Sequence, residues 1–175
     1  QPFAMSSPST LHQALLTELV VRLNSFFRGG SCRALVAPLD VKLSEHDVVQ
    51  PDLLVVCDPQ QLRPHFVEGP PALVVEVLAP STVRHDRVRK LNLYSRAGVG
   101  EYWLVTPHPF LFEVLYLGDG GFLHTGAYTE SDTLRSRRFP DLELPLLELY
   151  QSLPAQPPLD EVREQVPPYA SQGQG

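Results

Sequence analysis

The first apolar positions of the chain follow a helical period. Within residues 8–27, leucine recurs at every fourth position, which is typical of an amphipathic helix. The four leucines are Leu11, Leu15, Leu19 and Leu23. Ser9 or Thr10 can cap the helix, and the glycines of the RGG sequence at 28–30 favour the left-handed conformation in which helices end. The pattern predicts an opening helix with one apolar face.

After this helix the apolar runs become short and are separated by breakers. Residues 32–43, interrupted by Pro38, favour two short strands, and the continuous apolar run 51–57 is too short for a helix. Residues 58–71 are rich in Pro and Gly, which predicts a loop. The run 72–78, ALVVEVL, then has the composition of a buried strand.

A second helix is predicted over residues 81–99. It opens with the capping residues Ser81 and Thr82 and closes on Gly98. Its spacing places four residues on one face: Val88, Leu91, Tyr94 and Ala97. This helix follows the strand 72–78 directly.

Three more strands are predicted at 101–107, 110–117 and 121–129, the last two joined as a hairpin across GDGG. In the first of them, alternation puts Tyr102 and Leu104 on one face and Trp103 on the other, a pattern that indicates packing. A short closing helix is predicted at 144–150.

This order of elements predicts an α/β (α+β) fold with a mixed sheet flanked by helices and extended by a hairpin. Strand 72–78 connects through the second helix to strand 101–107, as in a right-handed crossover. We expect a single domain over residues 1–153, followed by a Pro-rich, flexible tail at 154–175.

The composition fits a globular protein. The chain has 175 residues, of which 43% are hydrophobic and 19% charged, and no apolar run approaches the length of a membrane span. No signal-like segment is found at its start, so we expect a cytoplasmic protein without a membrane partner. Cys32 and Cys57 lie in strand-like runs, where we expect free, buried thiols rather than a disulfide or a zinc site.

The charge distribution argues against a protein that coats nucleic acid by bulk electrostatics. The net charge is −6, whereas non-specific affinity for nucleic acid comes from cations that neutralise phosphates. Two windows, 84–90 and 135–138, nevertheless hold seven of the fourteen Lys and Arg residues. Each window can be a local binding patch or an ordinary solvated surface.

Three charged residues stand out as candidate chemistry: Asp52, Glu76 and Lys90. Taken singly, each fits a turn, a solvated strand position or an outward helix position. Glu76, however, has apolar neighbours on both sides, and a buried carboxylate is costly unless it is paired or binds a cation. If the strands 51–57 and 72–78 are neighbours, Asp52 and Glu76 could bind Mg²⁺, which takes one or two carboxylates together with substrate phosphates.

Several quoted stretches together resemble a known family. The PD at 51 and 52, the EVLAPST at 76–82, the D-x-x-x-K-x-x-x-Y spacing of helix 81–99 and the GVGEYWLV at 98–105 are similar to the Uma family. Members of that family are assigned as restriction endonucleases with the PD-(D/E)XK nuclease-like fold. The resemblance covers most of residues 5–150.

The resemblance implies a four-stranded mixed sheet core and a metal site for Mg²⁺ or Mn²⁺. Its ligands would be Asp52, Glu76 and the main-chain carbonyl of Val77. The nuclease signature has a lysine two residues after the acid, but Leu78 occupies that place here. Lys90 matches the lysine of the Uma pattern on the following helix and could bring its ammonium to the same space.

The family pattern also suggests accessory groups. His12 and Asp86 match it, as does Tyr94, and Glu18 is the acid available on the first helix. For each of these, an ordinary polar or packed position is an equal alternative. The fold further suggests a homodimer, with the hairpin 110–129 and the RSRR at 135–138 as a partner surface.

We therefore expect a Mg²⁺-dependent endonuclease that hydrolyses phosphodiester bonds of DNA, with Asp52, Glu76 and Lys90 as its catalytic residues. The alternative is a catalytically silent nucleic-acid-binding or assembly module that retains the fold, since architecture alone does not establish a reaction. An enzyme of unrelated chemistry has no supporting motif: the chain contains neither GxSxG nor HExxH.

Overall fold

A computed structural model describes residues 8–79 and 84–156. The helices are α1 (Thr10–Phe26), α2 (Arg84–Ala97) and α3 (Leu146–Ser152). The strands are β1 (Arg33–Val36), β2 (Asp40–Lys42), β3 (Val48–Val49), β4 (Leu53–Val56), β5 (Phe66–Glu68), β6 (Leu73–Val77), β7 (Glu101–Thr106), β8 (Leu111–Gly118), β9 (Gly121–Tyr128), β10 (Thr133–Arg135) and β11 (Glu143–Pro145). The predicted caps Ser81 and Thr82, and most of the predicted tail, lie outside the described residues.

The central sheet has six strands in the order β1-β4-β6-β7-β8-β9. Its one parallel pair is β6 with β7, and α2 connects the two, so the predicted mixed α+β architecture is confirmed. The sheet has two strands more than the four implied by the family resemblance, with β1 at one edge and the hairpin β8–β9 at the other. β9 ends the sheet, and the homodimer through this hairpin stays a prediction.

Four strands of two or three residues escaped the sequence analysis: β3, β5, β10 and β11. The strands β3 and β5 form a small separate sheet with the predicted β2, and β10 pairs with β11. The segment 58–71 therefore contains β5 and a short 3₁₀ turn at Pro59–Gln61 rather than a plain loop. Elements of this length show too few alternations for their period to be read from sequence.

The main core lies between α1 and one face of the sheet. Leu15, Leu19 and Leu23 are fully buried, as the four-residue repeat predicts. They belong to the same buried cluster as Trp103 of β7. The Ser9 side chain accepts a hydrogen bond from the His12 main-chain N–H, which confirms Ser9 as the cap of α1.

Helix α2 covers the opposite face of the sheet. Tyr94 packs there with Tyr102 and Leu104, so the predicted alternation of β7 is confirmed. Val88, predicted on the same helix face, is 52% exposed. This prediction was wrong because each step of three residues turns the helix about 60° short of a full circle, and two such steps carry Val88 about 120° away from Tyr94.

A buried carboxylate attaches the β10–β11 region to the sheet. Glu101 at the start of β7 is fully buried and accepts hydrogen bonds from the Trp103 indole and the Ser136 hydroxyl. It also accepts bonds from the main-chain N–H groups of Arg137 and Arg138. The RSRR window is thereby tied to the start of β7, away from the carboxyl end of β6.

The two cysteines form a disulfide, and the expectation of free thiols was wrong. Strands β1 and β4 are antiparallel, and Arg33 is paired with Val56. Continuing that register by one residue places Cys32 opposite Cys57, so the bridge extends the strand pair. This pairing could not be predicted from the local pattern because the register of β1 and β4 depends on tertiary contacts.

None of the helices within residues 8–79 and 84–156 is both long and apolar enough to cross a membrane. This agrees with the absence of a long apolar run in the sequence. The cytoplasmic compartment remains a prediction.

We predict that reduction of the Cys32–Cys57 bridge lowers the free energy of unfolding by about 3 to 4 kcal/mol, because a cross-link over 25 residues restricts the unfolded chain. Urea unfolding followed by tryptophan fluorescence, with and without a thiol reductant, measures the difference. The double variant Cys32→Ser, Cys57→Ser is the control and should ignore the reductant. Equal midpoints for the wild type under both conditions would contradict the prediction.

Candidate active site

The two proposed acids come together where β4 begins and β6 ends. The antiparallel register pairs Leu53 with Val75, which brings Asp52 beside the last residues of β6. The Asp52 carboxylate accepts a hydrogen bond of 2.8 Å from the main-chain N–H of Val77. Because the N–H and C=O of one strand residue point to the same edge, the Val77 carbonyl faces the side on which Asp52 lies.

Glu76 occupies the centre of the site and is only 5% exposed. One carboxylate oxygen accepts a bond of 2.7 Å from the Tyr94 hydroxyl, and the other lies 3.4 Å from the Lys90 ammonium. The pKa of Glu76 is raised to about 7: burial is the largest cause, the charge of Lys90 opposes it, and the charge of Asp52 adds to it. Near neutral pH, this carboxyl group is therefore poised between its neutral and charged forms.

Lys90 reaches Glu76 from α2, the helix that leaves β6. Its ammonium also lies 3.7 Å from Asp86, one helical turn earlier, and 32% of its side chain is exposed. Asp86 in turn pairs with Arg89 at 3.1 Å. Lys90 is thus held at the rim of the site, with its ammonium accessible from solvent.

His12 places its imidazole next to Asp52. Its Nε2 lies 3.4 Å from Asp52 Oδ1. The hydrogen bond with Asp52 raises the pKa of His12 against the opposing effect of burial. Burial alone would raise the pKa of Asp52, but the bonds from His12 and from Val77 outweigh it and lower that pKa. The two side chains contact each other at the first turn of α1, and the contact favours the protonated imidazole and the charged carboxylate.

The carboxyl groups of Asp52 and Glu76 also affect each other directly. A side-chain hydrogen bond with Glu76 helps to lower the pKa of Asp52, while the charge of Asp52 raises that of Glu76. Two neighbouring acids that interact in this way titrate as a coupled pair, and burial favours the form of the pair in which Glu76 carries a proton. A divalent cation between them would displace that proton.

The structure thus places five of the predicted residues in one cluster: His12, Asp52, Glu76, Lys90 and Tyr94. Asp86 borders it through Lys90. Glu18 lies apart, and its carboxylate pairs with Arg22 one turn along α1. Leu78, at the strand position of the nuclease lysine, packs against the apolar cluster under α2.

A second ion pair beside this cluster was missed by the sequence analysis. Arg87 of α2 contacts Glu113 of β8 at 3.2 Å. Glu113 lies opposite Leu104, and Leu104 lies opposite Glu76, so both glutamates belong to one row across the sheet. The signal in the sequence was the seven-residue spacing of Arg87 and Tyr94, which places both near one helix face.

The donor set suits a hard cation. Within the described segments, no three His, Cys, Asp or Glu side chains form a metal-binding group. The oxygen atoms that could hold a cation here are those of the two carboxylates, Asp52 and Glu76, and the main-chain carbonyl of Val77. Mg²⁺ commonly binds in this way, because it keeps several waters and uses one or two carboxylates.

Comparison with known proteins agrees with this geometry. A family model, Uma2, described as "Putative restriction endonuclease", matches residues 1–147. The chain belongs to the Uma2 family. This match spans α1, the PD sequence, β6 and α2, and so includes every residue of the cluster.

Two relatives extend the comparison. An uncharacterized protein of Synechocystis sp. is 29% identical over 136 residues, which cover 77% of the chain and 72% of that protein. A crystal structure of a "putative nuclease belonging to DUF820" from Anabaena variabilis superposes with a TM-score of 0.68 at 18% identity, covering 84% of each chain. The likeness to that structure confirms the predicted nuclease-like fold of this Uma2 protein.

We predict that the metal-free Uma2 protein loses stability as the pH rises from about 4.5 to about 7 through Glu76. In that window the folded state retains a proton that the unfolded chain has released, so each rise in pH favours unfolding. The variant Glu76→Gln lacks this titration. Between pH 4.5 and pH 7, its free energy of unfolding should therefore rise relative to that of the wild type by about 3 kcal/mol. Chemical unfolding at a series of pH values, in a chelating buffer, measures it.

The exposed variant Glu143→Gln serves as the control for the loss of one negative charge. The difference in free energy of unfolding between Glu143→Gln and the wild type should stay nearly constant over the same pH range. A Glu76→Gln difference that is equally flat would show that Glu76 holds no proton in the folded protein.

Proposed function

We propose that this Uma2 protein is a Mg²⁺- or Mn²⁺-dependent endonuclease that hydrolyses phosphodiester bonds of DNA. The observation that carries the proposal is the convergence of Asp52, Glu76 and Lys90 at the carboxyl end of β6. Three separate elements deliver these side chains. Apolar packing alone gives no reason to bring two acids and a lysine to this position.

The metal would be held by Asp52, Glu76 and the Val77 carbonyl. When bound, it would lower the pKa of a water molecule and offset the negative charge of the scissile phosphate. Tyr94 orients the Glu76 carboxylate through its hydroxyl, and His12 does the same for Asp52. Both acids are therefore pre-oriented, which reduces the cost of arranging them during the reaction.

Lys90 is the electrostatic partner of the reaction in this proposal. In the free protein its ammonium neutralises Glu76 and Asp86. Once Glu76 is engaged by a metal, the ammonium can turn to the phosphate and stabilise the charge that develops in the transition state. Its partial exposure permits this movement, since the ammonium need not leave a closed cavity.

The silent-module alternative has two observations in its favour. Asp52 is engaged by His12, and Glu76 by Lys90 and Tyr94, so the cluster is satisfied without a metal. The displacement of the lysine from its usual strand position, now Leu78, points the same way. Activity assays separate the two functions, because a silent module can bind nucleic acid but cannot cut it.

We predict metal-dependent cleavage of DNA by the wild-type protein and a loss of at least about 100-fold in rate for Asp52→Asn, Glu76→Gln and Lys90→Met, since each removes a charge from the transition state. Single-stranded, duplex and branched DNA, and RNA, should be incubated with Mg²⁺, with Mn²⁺ or with a chelator. Lys42→Met is the matched control, because Lys42 and Lys90 are the two lysines of the chain.

Lys42 lies in β2 and is exposed, so Lys42→Met should retain the wild-type rate. Binding of DNA without cleavage by the wild type, under every metal condition, would favour the silent module. Equal loss of rate in the Lys42 and Lys90 variants would remove the specific role of Lys90.

We also predict that Mg²⁺ or Mn²⁺ raises the melting temperature of the wild type, and more so at pH 8 than at pH 6. The metal must displace the proton of Glu76, whose pKa is about 7, so its apparent affinity rises with pH. Thermal unfolding with increasing metal concentration measures the effect. Asp52→Asn and Glu76→Gln should lose it, whereas indifference of the wild type to both ions would exclude a metal site here.

A further inference from the structure

We propose that Arg87 forms a second phosphate-binding site, which holds the nucleic-acid backbone next to the phosphate that Lys90 contacts. Glu113 occupies this site in the free protein. This inference rests on the proposed nuclease function and deepens it, because it identifies how the substrate strand is aligned across the sheet.

The placement of Arg87 is the first argument. Arg87 precedes Tyr94 by seven residues, two helical turns, so the two side chains differ by only about 20° around α2. Tyr94 is the residue that packs α2 onto the sheet. Arg87 therefore projects along the sheet-facing side of the helix, next to Lys90, rather than outward as a solvated arginine would.

The register of the sheet supplies the second argument. Glu76 of β6 and Glu113 of β8 lie in one row, with Leu104 of β7 between them. Neighbouring strands are about 5 Å apart, so the two glutamates stand about 10 Å apart. Each holds one cation of α2: Glu76 holds Lys90, and Glu113 holds Arg87.

The two cations are thus presented side by side. Residues three positions apart on a helix are neighbours, about 5 to 6 Å apart at Cβ, and the two carboxylates draw their charged ends further apart. The resulting spacing is comparable to that of successive phosphates along one nucleic-acid strand. One lysine at the scissile phosphate and one arginine at the adjacent phosphate fit such a strand.

The energetics permit an exchange of partners. The Arg87 side chain is 42% exposed and that of Glu113 is 28% exposed, so the pair is screened by solvent. Exposed ion pairs of this kind contribute little to stability, so little is lost when the guanidinium leaves its carboxylate. Guanidinium groups bind carboxylates and phosphates with the same planar donor geometry, so a phosphate can take the place of Glu113.

Glu113 then has a role of its own. As an acceptor beside Arg87, it competes with phosphate and weakens binding of any polyanion. In a protein of net charge −6, this carboxylate also repels the nucleic-acid backbone until Arg87 binds a phosphate. Its removal should increase affinity, whereas the removal of Arg87 should decrease it.

Arg89 provides a matched control on the same helix. It carries the same charge two positions away, and its side chain is 72% exposed and paired with Asp86. Two residues turn the helix by about 200°, so Arg89 points away from the sheet. Arg87→Gln and Arg89→Gln therefore make the same change in net charge on opposite sides of α2.

The test is equilibrium binding of fluorescently labelled duplex and single-stranded DNA of equal length, in a chelating buffer over a series of salt concentrations. Arg87→Gln should weaken binding about tenfold at low salt and reduce the slope of log affinity against log salt by about one phosphate contact. Arg89→Gln should change neither quantity by more than about twofold. Glu113→Gln should bind about threefold more tightly than the wild type, in keeping with a weak competing pair.

Equal weakening by Arg87→Gln and Arg89→Gln would overturn the inference, because it would indicate a general effect of charge. A wild-type protein that binds neither probe would overturn it as well.

The binding assay needs neither metal nor cleavage, so it separates this inference from the proposed reaction. Binding that depends on Arg87 but is not followed by cleavage would support the phosphate site and reject the proposed reaction. Cleavage that Arg87→Gln leaves unchanged would support the reaction and reject the phosphate site. If Arg87→Gln unfolds, the gain expected for Glu113→Gln still decides the matter.

Discussion

The burial of the Glu76 carboxylate is the constraint on which the site depends. A charged carboxylate in a central strand is tolerated only if other groups compensate for the lost hydration. Tyr94 and Lys90 provide that compensation, and both come from α2, so the helix must lie across the end of β6 to satisfy the strand. The position of α2 therefore serves both the packing and the site, because without α2 Glu76 would lose the contacts with Tyr94 and Lys90.

A second buried glutamate shows why burial alone does not identify a reactive group. Glu101, at the opposite end of the parallel pair, is enclosed by an indole, a hydroxyl and two main-chain N–H groups. These donors are all neutral, and among the residues that the structure describes Glu101 makes no ion pair. Glu76 has one hydroxyl, the ammonium of a partly exposed lysine and a neighbouring acid. This difference supports the proposal that Glu76 takes part in chemistry, whereas Glu101 joins parts of the fold.

The sequence was sufficient to predict the elements whose apolar pattern extends over enough residues to be recognised. Helix α1, strands β4, β6 and β7 and the hairpin β8–β9 follow from their apolar positions. Glu76 follows from the cost of a carboxylate within VVEVL, and Asp52 from the PD sequence of the family pattern. It was insufficient where the outcome depends on register. The Cys32–Cys57 bridge needs the pairing of β1 with β4, and the contact of Arg87 with Glu113 needs β6, β7 and β8 to be aligned. Neither register is written in the local pattern of either partner.

The four-residue spacing of Asp86, Lys90 and Tyr94 has a geometric consequence. Four residues exceed one helical turn, so each step rotates the side chain by about 40° around α2. The three residues form an oblique stripe from solvent to core: Asp86 has 38% of its side chain exposed and Lys90 32%, while Tyr94 is 1% exposed. Along this single helix, side-chain exposure thus decreases from the solvent-facing Asp86 to the buried Tyr94, which contacts Glu76. Lys90 lies between them, so its side chain is both paired with a buried acid and partly exposed to solvent.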